Sequence, residues 1–155
     1  MELKFTVSAR ISKPVEEVFE AVADPSKLSR YFTTGGAKGR LETGATVTWD
    51  FYDFPGAFPV EVVEVEQNRK IVLRWGADGP PEEGEAPGSR MTTVTMLFEP
   101  LENGRTLVSI TEEGWRETES GLKASYGNCQ GWAQMLCALK AYLEYGINLR
   151  EGMYK

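Results

Sequence analysis

Hydrophobic and polar positions alternate strictly at the start of the chain. Leu3, Phe5, Val7, Ala9 and Ile11 fall on one side, and Lys4, Thr6, Ser8 and Arg10 on the other, the period-two pattern of a strand with one buried face. The next segment, Ser12 to Pro25, changes period. Val15, Val18, Phe19 and Val22 recur at helical spacing, Pro14 suits a first helical turn, Glu16 and Glu17 favour the positive end of the helix dipole, and Asp24-Pro25 ends the run. A second short turn of helix is expected from Ser26 to Phe32, before the glycines at 35, 36 and 39.

From Ala37 to about Glu113 the alternation returns. Val47, Trp49 and Phe51 form one set, Val63 and Val65 a second, and Ile71, Leu73 and Trp75 a third. Val94, Met96 and Phe98 form a fourth, followed by Val108 and Ile110 after the turn signal Glu102-Asn103-Gly104. With Gly39-Arg40-Leu41 as a further candidate, about six strands follow the first helix. No helical pattern interrupts them, so the sheet of about seven strands is expected to be antiparallel. Two connections stand out. The stretch from Gly76 to Ser89 has the composition of a long loop, too poor in apolar residues to pack, and is expected to be mobile rather than a ligand-gating lid. Phe54-Pro-Gly-Ala-Phe58-Pro59 is an aromatic turn, which must fold onto the core or border an opening. The last segment, from about Thr118 to Gly146, is the longest helix. Its expected apolar stripe is Leu122, Tyr126, Cys129, Trp132, Leu136, Leu139 and Leu143, with Gly121, Gly127 and Gly131 weakening its first half.

Composition narrows the chemistry. The 155 residues suit one domain, 1–155, with 41% hydrophobic and 26% charged positions. Seventeen Lys and Arg against 23 Asp and Glu give a net charge of −6, and no basic run interrupts it, so a nucleic-acid partner is not expected. The chain has no histidine, which excludes a Ser-His-Asp or Cys-His nucleophile and any His-ligated metal. Cys129 and Cys137 stand eight positions apart on one helix, a rise of about 12 Å, too far for a disulfide, and both are expected to pack as reduced thiols. No metal or other cofactor is expected. The amino terminus lacks a signal pattern and no apolar run could span a membrane, so a cytoplasmic protein is expected.

The order of strand, short helices, antiparallel strands and long final helix carries a resemblance. Ser12-Lys-Pro-Val-Glu-Glu-Val-Phe19, Asp24-Pro25, Tyr31-Phe32, Gly39-Arg-Leu41, Val47-Thr-Trp49, Ile71-Val-Leu-Arg-Trp75, Thr93 to Pro100, Glu113-Gly-Trp115 and Gly131-Trp132 resemble, in order and spacing, the START-like (SRPBCC) superfamily. Within it, the chain looks like the group related to the C-terminal domain of the activator of Hsp90 ATPase. The resemblance implies an α+β helix-grip fold: a curved antiparallel sheet wrapped around the long C-terminal helix, with two short helices after the first strand. It also implies a cavity between sheet and helix for a small apolar or lipid-like ligand. Trp49, Phe51, Trp75, Met96, Ile110, Tyr126, Trp132 and Leu136 are the residues expected to point into that interior.

Two alternatives remain open. A cyclase- or dehydratase-type enzyme would act in the same cavity, with Glu112, Glu113, Arg74 or Tyr126 as its polar groups. Glu112 and Glu113 sit at adjacent strand positions, so they point to opposite faces, and at most one can be buried. A chaperone partner is the other alternative. The eukaryotic activator uses a second, N-terminal domain that these 155 residues leave no room for, so contact with an Hsp90-type chaperone is not expected to activate it. The protein is expected to be a monomer or homodimer.

Overall fold

In the computed structural model, which describes residues 1–79 and 81–155, seven strands form one antiparallel sheet. They are β1 (Lys4–Ile11), β2 (Gly36–Lys38), β3 (Thr46–Phe51), β4 (Phe54–Glu66), β5 (Lys70–Trp75), β6 (Thr92–Pro100) and β7 (Thr106–Glu113). The order across the sheet is β1-β7-β6-β5-β4-β3-β2. All but the closing β1–β7 pair are neighbours in sequence, with a long loop joining β5 to β6. Two short helices, α1 (Val15–Ala23) and α2 (Pro25–Leu28), follow β1, and α3 (Glu119–Tyr145) closes the fold. This is the helix-grip arrangement expected from the sequence, with α3 of 27 residues lying against the inner face of the sheet.

Capping chemistry sets the helix limits. Pro14 is the residue before α1, and Asp24 caps α2 by accepting from the Ser26 amide at 2.9 Å. Thr118 caps α3 by accepting from the Gly121 amide at 3.0 Å. Gly146 ends α3 in the left-handed conformation, φ 66°, which glycine adopts without the steric penalty of a Cβ. The core joins Val18, Phe19 and Val22 of α1 to Ile71, Leu73, Val94, Met96, Val108 and Ile110 of the sheet and to Leu136 and Leu139 of α3. Among the described residues, no helix is long and apolar enough to cross a membrane.

Several local expectations need correction. The strand expected at Gly39–Leu41 lies three residues earlier, at Gly36–Lys38, because Gly39 takes φ +100° and breaks the ladder; Leu41 is nevertheless buried. Val63 and Val65 do not share a buried face. A bulge between Val62 and Glu64 shifts the register, so Val60 and Val62 are buried and Val63 is exposed. Phe54 to Pro59 is not a turn but the first half of β4, and the chain reverses instead at Tyr52 and Asp53.

Ion pairs join the described residues of the 76–89 loop to its flanks. Arg90 is buried, and its guanidinium reaches Glu82 at 2.9 Å and Glu85 at 2.9 Å. Arg116 reaches buried Asp78 at 3.0 Å and Glu85 at 3.2 Å. These ion pairs supply the anchoring that apolar residues could not, a role invisible to hydropathy. Pro80, within the loop, lies outside the described residues.

Candidate functional site

Trp132, Leu136 and Leu139 of the expected α3 stripe are buried, but in the first half of the helix the face turned to the sheet is not the one hydropathy indicates. Leu122 is exposed and Tyr126 is 67% exposed; the buried positions of that half are Gly121 and Ser125, with Asn128 half-buried one turn on and Trp132 buried after it. The inward face is rotated by about one residue from the apolar one. Tyr126 therefore does not point into the interior, and neither does exposed Cys137, while Cys129 is half-buried. The physical reason lies opposite this stripe, on β7.

Glu112 is fully buried there, facing α3 while its neighbour Glu113 turns away to meet Lys4 at 3.4 Å. The Trp132 indole donates to Glu112 Oε1 at 2.8 Å, and the Asn128 amide donates to the same oxygen at 3.1 Å. Glu112 Oε2 accepts from the Trp75 indole at 2.8 Å and from the Thr92 hydroxyl at 2.5 Å. A buried carboxylate needs its lone pairs filled, and here donors from β5, β6 and α3 fill them. The polar, small stripe of α3 is what makes room for this arrangement.

Above Glu112 lies a half-open cavity of about 380 Å³ between α3 and the β3–β5 end of the sheet. Phe32, Phe51, Trp75 and Trp132 form its aromatic wall, with the Phe32 and Trp132 rings stacked at 5.4 Å and Trp75 against Trp132 at 5.5 Å. Gly127 and Gly131 form its helical side, where a Cβ would meet nothing within 4 Å. Gly121 differs: a Cβ there would lie 2.0 Å from the Arg116 carbonyl oxygen, so this glycine permits a close approach of loop and helix. A second hollow, of about 590 Å³, lies on the other side of Trp75 and Asn128, which line both; the 76–89 loop and Phe58 form its outer wall.

The chain after Gly146 doubles back along α3 to the mouth of the first cavity. Arg150 and Asp53, both buried, form a bidentate pair with one contact at 2.9 Å. The Arg150 guanidinium holds the Asp53 carboxyl below its ordinary pKa. Tyr154 lines the cavity and donates to the Gln134 amide oxygen, and burial pushes its phenol up from the ordinary value. Phe54, half-exposed at the start of β4, has its ring centroid 5.7 Å from that of Tyr154, the two rings tilted at 57°. The aromatic segment Phe54–Pro59 thus borders an opening, one of the two outcomes open to it.

Of the eight residues expected to face a ligand, Phe51, Trp75 and Trp132 line the first cavity. Trp49, Met96, Ile110 and Leu136 are packed into the solid core, and Tyr126 faces outward. Gly127, Gly131, Asn128, Arg150 and Tyr154, outside that set of eight, also line the cavity. The glycines were visible in the sequence as interruptions of α3. Arg150 and Tyr154 had no periodic signal to mark them. Of the polar groups named for catalysis, Arg74 is exposed beside Glu61 and only Glu112 reaches the cavity wall region, through its indole and amide donors.

The family described as activator of Hsp90 ATPase homolog 1-like protein matches the chain over residues 12–144. Among solved structures, protein SSP2350 from Staphylococcus saprophyticus superposes with a TM-score of 0.76 at 29% identity, covering 96% of each chain. DynU16, a putative protein in the dynemicin biosynthetic locus, gives a TM-score of 0.77 at 25% identity over 95% of this chain and 49% of its own. The Aha1 dimer from Colwellia psychrerythraea shares the fold, with a TM-score of 0.73 at 24% identity over 93% of this chain and 98% of its own. No curated protein matches the chain significantly in sequence.

Proposed function

The chain belongs to the activator of Hsp90 ATPase homolog 1-like family, and from that premise we propose that it binds a small, largely apolar ligand in the cavity between the sheet and α3. The observation that carries this reading is the helical wall of the cavity. Gly127 and Gly131 weaken α3 by roughly 1 kcal/mol each relative to alanine, and no packing neighbour lies where their side chains would be. Space kept open at a cost in helix stability is expected of a binding site. The cavity volume falls within the roughly 300–1,000 Å³ usual for ligand sites.

The test is saturable binding of a neutral apolar fluorophore, N-phenyl-1-naphthylamine, with a rise in melting temperature on saturation. Gly127→Leu places a good helix former in the cavity mouth and is expected to weaken binding at least ten-fold without loss of fold. Binding that survives unchanged in this variant, or no binding by the wild type, overturns the reading.

The enzymatic alternative draws support from the likeness to DynU16, whose locus is biosynthetic. Against it stands the state of Glu112, the one candidate acid near the cavity. Its oxygens are occupied by four donors of the protein itself, an arrangement suited to holding side chains in place rather than to exchanging a proton with a substrate.

A further inference from the structure

Glu112 is a buried negative charge among neutral neighbours. Two indoles, a hydroxyl and an amide donate to it, and none of the ion pairs among the described residues includes it. Inside a protein such a charge is felt over a longer range than in water, because little solvent lies between to screen it. An indole that donates its N–H to a carboxylate also carries more electron density on its ring, and the ring face is the part that attracts cations. Trp75 and Trp132 both donate to Glu112, and both line the cavity.

The rim of the cavity behaves differently from its floor. Arg150 sits 4.5 Å from the Tyr154 ring centroid and 5.8 Å from that of Phe51, and the Lys155 ammonium sits 5.0 Å from that of Phe54. The outer rings therefore already hold cations of the chain. Among the described residues, Arg150 is the one charged residue lining the cavity, and Asp53 offsets its charge through the bidentate pair. No such cation lies over Trp75 or Trp132 among the described residues. The balance of fixed charge next to the floor is the carboxylate of Glu112.

Resting on the reading that the cavity binds a ligand, we propose that its occupant is an apolar organic cation, an amine or quaternary ammonium on an aromatic or alkyl body. The cationic head lies against the Trp75 ring, beside Trp132, whose own face is stacked on Phe32. A fatty acid or other apolar anion of the same size is disfavoured at the floor, since its carboxylate would face Glu112, while the described cations of the cavity, Arg150 and Lys155, stand at the rim.

Three probes of similar bulk test this by calorimetry: (2-naphthylmethyl)trimethylammonium, the neutral 2-naphthaleneethanol, and 2-naphthylacetate. Measurements in 1 M sodium chloride, where the Debye length is about 3 Å, suppress the general attraction of an acidic protein for cations. The wild type is expected to bind the ammonium at least ten-fold more tightly than the alcohol, and the acetate weakest of all. Glu112→Gln is expected to lower the ammonium affinity about ten-fold more than that of the alcohol. Equal affinities for the three probes in the wild type, or a preference unchanged in folded Glu112→Gln, overturn the proposal. Should that variant not fold, the wild-type series decides alone. Failure of all three probes to bind overturns the cavity reading itself, and with it this inference.

Discussion

Three glycines on one helix answer to different physics. At Gly121 a methyl group would lie 2.0 Å from the Arg116 carbonyl oxygen, a backbone atom that cannot rotate away. At Gly131 the same methyl would enter open space. Gly121→Ala is expected to destabilise the protein by about 2 kcal/mol through overpacking. Gly131→Ala is expected to stabilise it by up to about 1 kcal/mol, because alanine restricts the unfolded chain and favours helix. Denaturant unfolding of the two variants checks both signs, and destabilisation by Gly131→Ala would show that its side of the helix is packed. Hydropathy ranks all three as helix breakers. Only the position of the loop carrying Arg116 separates one from the others, and no local pattern encodes that.

At the scale of elements, the informative unit is the segment after α3. The bidentate Asp53–Arg150 pair ties it to the β3–β4 reversal, and Tyr154 ties it to Gln134. Arg150 lowers the Asp53 pKa, so the pair contributes stability above the ordinary carboxylate pKa of about 3.9, and that stability is lost as pH falls through the lowered, folded value. Asp53→Asn removes the charge at every pH and leaves the guanidinium unpaired. Breaking a buried pair this way costs about 3–5 kcal/mol where the survivor stays buried. Here the segment can detach instead, so hydrogen exchange of residues 147–155 at pH 7 is expected to accelerate more than the rest of the chain. In the wild type the same loss of protection, measured relative to the slower intrinsic exchange at low pH, is expected only on acidification below the carboxylate range. Unchanged protection in the variant would show that Tyr154 and the cation–ring contacts suffice to hold the segment. The strands were legible because alternation reports the buried face directly; the anchoring of this segment and of the 76–89 loop was not, since both depend on charges that meet only after folding.

Across the whole molecule, binary pattern identified the antiparallel sheet and the long final helix, because period-two runs and a long helical run report their buried faces directly, whereas the grip of α3 and the family came from the resemblance of motifs such as Val47-Thr-Trp49 and Gly131-Trp132. The site was legible only in part. Phe51, Trp75 and Trp132 were recognisable as aromatic residues on inward faces, whereas the first half of the α3 stripe was misplaced because its inward side serves Glu112 and is polar. That arrangement divides the four tryptophans into two classes. The indole protons of Trp75 and Trp132 are engaged by a carboxylate, while Trp49 Nε1 and Trp115 Nε1 are buried without a partner among the described residues. Hydrogen-bonded N–H protons resonate downfield of unbonded ones. The indole region of a ¹⁵N-edited proton spectrum is therefore expected to show two separated pairs of signals, and a ligand entering the cavity should displace the downfield pair first. Under the proposed function, these two indole protons are a spectroscopic gauge of occupancy, readable without attaching a dye or changing a residue.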